Sequence, residues 1–103
     1  MSPTPSSVLS QLERIENEMK HIGMWQEGPL APEQFDFRAA FGMDTMSFAQ
    51  WLQFIFIPNV RTAAGQNKFP AGSNVAAQAV REFDGNPEAS QLIMLLSDFD
   101  ALF

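Results

Sequence analysis

Few residues in this 103-residue chain have the types and spacing that chemistry requires. The single histidine, His21, stands in the stretch "EMKHIG" with no HxxxH or HExxH partner, and cysteine is absent. A zinc site takes three or four such ligands, so His21 reads as a surface residue and no metal site is expected. The acidic pairs Glu82 with Asp84 and Asp98 with Asp100 are two residues apart, which on a helix sends the carboxylates in different directions. Neither a glycine-rich phosphate loop nor a GxSxG elbow occurs. No catalytic or cofactor-binding residue is therefore expected, and the chain reads as a non-enzyme.

Large apolar side chains are what the sequence supplies instead. Hydrophobic residues make up 46% and charged residues 17%, which suits one folded domain with its own core. Twelve acidic against six basic residues leave a net charge of -6 with no basic run, which disfavours direct contact with nucleic acid or an anionic membrane. The opening "MSPTPSSV" lacks the charged and apolar blocks of a signal peptide, and no apolar run is as long as a membrane span. With no disulfides available, a cytoplasmic location is the expectation.

The elements that would position any site are helical. Residues 1–6 read as a disordered tail rich in Pro, Ser and Thr. Val8, Leu12, Ile15, Met19 and Ile22 then recur at helical spacing, which predicts a helix over about 7–23 with Glu16 and Lys20 paired on its polar side. Ser47 with Gln50 forms a capping box and predicts a second helix over about 47–65, kinked at Pro58, whose ring and missing N–H disturb the preceding turn. Its stripe is Phe48, Trp51, Leu52, Ile55 and Phe56. Asn74 as a cap predicts a third helix over 74–84, and Asn86 followed by Pro87 and Glu88 starts a fourth over 87–102. No alternating run suggests a strand.

Between the first two helices, residues 24–46 carry too many aromatics for a polar linker. They predict an aromatic-rich loop packed across the bundle as a strap, with one helical turn near Pro32 to Phe35. Trp25, Phe37, Phe41 and Met43 are the candidates for a contact surface between strap and bundle, with Arg38 and Asp44 at its rim. Phe54 and Ile57 fall beside Gln50 and Gln53, on the side a lone helix would leave wet. Either the strap or a neighbouring helix covers them, which a small bundle short of apolar residues favours, or they extend the contact patch.

Trp25 with Gln26, Phe35, Phe41, the run Met43 to Met46, Trp51 to Gln53, Ile57 with Pro58, Pro70, Pro87 and the ending Asp100 to Phe103 together resemble the YqcC-like family of small bacterial proteins of unknown function. The resemblance runs from about Val8 to Phe103. It implies an all-α, up-and-down four-helix bundle, and no catalytic residues to carry over. Its members are often encoded beside a tRNA pseudouridine synthase, which implies a partner at the protein level and not bare tRNA. The expected function is a protein-interaction module, monomeric or homodimeric, whose unknown protein partner is potentially a tRNA-modifying enzyme. The alternative is a small-ligand pocket between helices.

Overall fold

In the computed structural model, which describes residues 3–103, the first helix begins at Pro5. Thr4 sets that start. Its hydroxyl accepts the Ser7 N–H at 3.1 Å while the Ser7 hydroxyl accepts the Thr4 N–H at 3.3 Å. Pro5 sits at the first helical position, where a missing N–H costs nothing. Helix α1 (Pro5–His21) thus absorbs Pro5 and Ser6, which the sequence placed in the tail; Met1 and Ser2 lie outside the described residues. It ends where expected, because Gly23 takes φ 76° and lets Met24 N–H reach the Met19 carbonyl at 2.8 Å.

Helix α2 covers 48–66 in three parts: Phe48–Trp51, a π-helical turn Leu52–Phe56, and Ile57–Gln66. The predicted capping box is present, with Gln50 N–H to Ser47 Oγ at 3.1 Å and Ser47 N–H to Gln50 Oε1 at 2.9 Å. At Pro58, where the sequence suggested a disturbed helix, the helix widens by one residue just before the proline. Ile57 N–H then bonds the Leu52 carbonyl, and the turn that Pro58 would crowd is already open. The extra residue also rotates everything after it by about 100°, one residue's worth of helix. That rotation carries Ile57 from the wet side of a regular helix into the core, where it is fully buried. Phe54 and Ile55 remain half-buried, so the expected stripe shifts from Ile55 to Ile57. The helix runs past Gly65 because Asn67, at φ 51°, makes the left-handed turn that closes it.

Helices α3 (Val75–Glu82) and α4 (Ser90–Asp100) complete the bundle, α4 being entered through a 3-10 turn at Pro87–Ala89. Asn86 caps that turn through Glu88 N–H, as its sequence position implied. Asn74 makes no side-chain cap. The N-terminus of α3 is capped from across the fold by Asp100, whose carboxylate accepts Val75 N–H at 3.1 Å and Ala76 N–H at 2.9 Å. A carboxylate also suits the positive end of the helix.

Helix α1 packs on α4 and on the second half of α2, and α3 packs on α4. Val8, Leu12, Ile15 and Met19 of α1 are sealed against Leu52 and Ile57 of α2 and Leu92 and Leu96 of α4. Among the described residues there is no strand, and no helix is long and apolar enough to cross a membrane. The architecture is the all-helical four-helix bundle expected.

Candidate functional site

The strap owes its course to side chains that bond to backbone. Gln53, buried on α2, grips both backbone polar groups of Gln26: Gln26 N–H donates to Gln53 Oε1 and Gln53 Nε2 donates to Gln26 O, each at 2.8 Å. Gln50 Nε2 donates to Gln26 Oε1 at 2.9 Å, and Gln26 Nε2 donates onward to the carbonyls of Gly28 and Pro29. The two glutamines on the presumed wet side of the helix therefore face the strap. One buried apolar residue, Leu30, follows the clamp.

Further along, the predicted turn at Pro32–Phe35 is present as a 3-10 turn. Its Gln34 exchanges two bonds with Thr45: Thr45 Oγ1 donates to Gln34 O at 2.6 Å and Gln34 Nε2 donates to Thr45 O at 3.1 Å. Asp44 closes the tip, accepting Arg38 N–H at 2.9 Å and Ala39 N–H at 3.3 Å. The Arg38 backbone donor foremost holds the Asp44 carboxyl below its ordinary value. Arg38 and Asp44 are thus tied to the shape of the loop, with the Arg38 side chain exposed.

At the end of the strap Phe41 adopts φ 58°, a left-handed conformation that is rare for a bulky residue. It is held there by its ring, which meets Trp51 at 5.0 Å and Phe48 at 5.9 Å edge-on. Gly42 follows at φ 62°, close enough to Met46 that an added Cβ would lie 3.1 Å from its Cγ. Met46 is buried by this contact, and Met43 is left projecting, 55% exposed.

Two adjoining hollows of about 380 and about 350 Å³ open between the strap and the bundle, sharing Met24, Ser47 and Ala49. The first continues to Met43, Met46, Phe48, Phe83 and the carboxylate of Glu82; the second continues to Trp25 and Gln26. Lys20 Nζ lies 5.2 Å from the centre of the Trp25 ring, a cation–π contact that fixes the indole at the edge. Three methionines lining one groove make a surface that repacks easily around an apolar partner.

Of the eight residues the sequence singled out, Trp25 and Met43 line this groove, and Phe41 supports its floor through Phe48. Phe37 is half-buried in the strap, and Phe54 lines neither hollow. Ile57 leaves the candidate surface: fully buried after the phase shift of the π-helical turn, it is corrected as a contact residue and agrees with the favoured expectation that neighbouring elements cover it. Met24, Met46 and Phe83 were missed. Three of the six methionines fall at the two ends of the strap, a clustering that marks them in the sequence itself.

Among the described residues no three His, Cys, Asp or Glu side chains lie where they would hold a metal ion, and His21 is exposed at the end of α1. The charged groups make a small network. Glu16 meets Lys20 at 2.8 Å and Arg61 at 2.7 Å, and the Lys20 hydrogen bond foremost lowers the Glu16 pKa.

The sequence profile of the DUF446 family, described as tRNA pseudouridine synthase C, matches residues 7–102. An uncharacterised protein of Haemophilus influenzae is 34% identical over 96 residues, 88% of this chain and 87% of its own. The uncharacterised protein YqcC of Escherichia coli K12 is 29% identical over 103 residues, 97% of this chain and 94% of its own. The solution NMR structure of YqcC from E. coli matches with a TM-score of 0.86 at 26% identity, covering 97% of this chain and 87% of that one.

Proposed function

This chain belongs to the DUF446 family, and we propose that it is a non-enzymatic protein-interaction module that works in the cytoplasm. It takes up an apolar segment of a partner protein in the groove between strap and bundle. The observation that carries this reading is the convergence of Met24, Met43 and Met46 beside Phe48 and Phe83, with Met43 exposed on a loop that hydrogen bonds hold in place. A solvent-facing methionine costs little to cover and adapts its shape to what covers it.

Charge narrows the partner. Glu82 borders the groove, and the chain carries a net charge of -6. An apolar segment flanked by Lys or Arg is the complementary partner, with the charges adding on-rate and selectivity more than affinity. The family description names a tRNA-modifying enzyme, which makes such an enzyme the partner of choice, met as a protein surface. The acidic balance opposes tRNA phosphates, so tRNA itself is not the ligand.

The test is affinity capture of the tagged chain from its native lysate after nuclease treatment, with Met43→Glu and Phe54→Ala alongside. Loss of a defined partner with Met43→Glu and its retention with Phe54→Ala is the expected result, both variants remaining folded. Retention with Met43→Glu would put the contact elsewhere.

A further inference from the structure

A second hollow shares no residue with the groove. It lies between the second half of α2, the 67–73 loop and the end of α4, and has a volume of about 250 Å³. Its walls are an arc of five rings: Trp51 to Phe56 at 5.6 Å, Phe56 to Phe99 at 5.1 Å, Phe99 to Phe103 at 5.0 Å and Phe103 to Phe69 at 5.8 Å. Besides the Trp51 indole, the polar side chains on the wall are Asn59 and Ser73, and no charged side chain lines it.

The hollow is held open from both ends of the loop that borders it. Lys68 N–H bonds the Ala63 carbonyl at 3.0 Å behind the left-handed Asn67, which fixes where the loop leaves α2. At the other end Ser73 Oγ and Val75 N–H both donate to Asp100, which fixes where the loop enters α3. Rings that meet one another edge-on, as Phe56 with Phe99 and Phe103 with Phe69, or tilted, as the other two pairs, cannot slide inward to fill the space without losing those contacts. An engineered apolar cavity of about 150 Å³ is already enough to take up benzene, so this one is large enough for a substituted aromatic ring.

We propose that this hollow is a binding site for a small, uncharged aromatic molecule carrying one hydroxyl or carbonyl group. The ring stacks within the arc of Trp51, Phe56, Phe99 and Phe103, and the polar group meets Asn59 or a free lone pair of Ser73. A charged ligand is excluded because its desolvation finds no opposite charge on the wall. The site is independent of the groove, and its failure leaves the reading of the groove untouched.

The experiment uses 4-fluorophenol as probe and follows its fluorine NMR line as the intact chain is added, with 4-fluorobenzoate as the charged counterpart. Saturable broadening of 4-fluorophenol alone is expected. Ala63→Phe, which fills the hollow from the α2 wall, should weaken that binding by roughly tenfold or more while leaving the helical circular dichroism unchanged. Should Ala63→Phe fail to fold, Asn59→Trp blocks the same space from an exposed position. No saturable binding, equal binding of 4-fluorobenzoate, or undiminished binding in the folded blocked variant would each overturn the proposal.

Discussion

The strap and the bundle are ordered by different forces. In α1, α2 and α4 the sealed residues are apolar, from Val8 and Leu12 to Leu52, Ile57 and Leu96, and position is set by packing. In residues 24–46 only Leu30, Gly42 and Met46 are buried, and position is set by Gln53, Gln50, Gln34, Thr45 and Asp44 bonding across to backbone or to Gln26. Packing is non-directional and shared among many contacts, so a change in the bundle registers in the stability of the whole fold. Side-chain clamps are directional and few, so the strap depends on single residues, and a binding surface built on it can be removed without unfolding the protein.

The sharpest contrast is between Leu52 and Gln53, neighbours facing opposite regions. Leu52→Ala should cost about 2 to 5 kcal/mol in a denaturant titration, as for a fully buried leucine. A cost under about 0.5 kcal/mol, the range of a surface change, would break the distinction from the bundle side. Gln53→Ala leaves Gln26 without either backbone partner and should cost about 1 to 3 kcal/mol. That loss should appear as new amide exchange in the strap, with α1 and α4 unaffected.

Gly42→Ala comes next. The positive φ and the 3.1 Å approach to Met46 should cost about 1 kcal/mol and shift the Met46 methyl resonance. An unchanged Met46 would show that the strap's end does not rest on that glycine.

The smallest effects are electrostatic. Glu16→Gln breaks two surface pairs and should change stability by less than about 1 kcal/mol. Glu16 and Asp44 both have folded pKa values below their ordinary 4.5 and 3.8. Their contributions are therefore present above those ordinary values and are lost as pH falls through the lower folded ones. Acid titration should loosen the strap tip at Asp44 in this window, seen as faster exchange of the Arg38 and Ala39 amides, and Asp44→Asn should abolish that pH dependence.

The sequence made the bundle legible and left much of the strap's fixing hidden. Four helices, the Ser47 cap, the Gly23 stop and the turn at Pro32–Phe35 all follow from spacing and local chemistry, because each involves residues within one turn of one another. The π-helical turn was illegible because a wheel assumes a fixed period: the shortage of apolar residues favoured a covered Ile57, but the inserted residue that turns it into the core leaves no mark in the spacing. Asp100 capping α3 and Gln53 clamping Gln26 join residues 25 and 27 positions apart, and no local rule pairs them. The groove was half legible: Trp25 and Met43 stood out as large side chains on a loop, whereas Met24, Met46 and Phe83 gained their place only when the strap came down on the bundle.

The central claim is that the strap is an ordered surface held by its glutamine clamp. Amide hydrogen exchange of the wild-type chain and Gln53→Ala tests it most directly, read at Gln26, Arg38 and Ala39 beside helical amides of α1 and α4. The account predicts protection at Gln26 in the wild type and its loss in Gln53→Ala, with exchange quickening at Arg38 and Ala39 while the helices hold their rates. A Gln26 amide that exchanges freely in the wild type, or helices that open together with the strap in the variant, would contradict it.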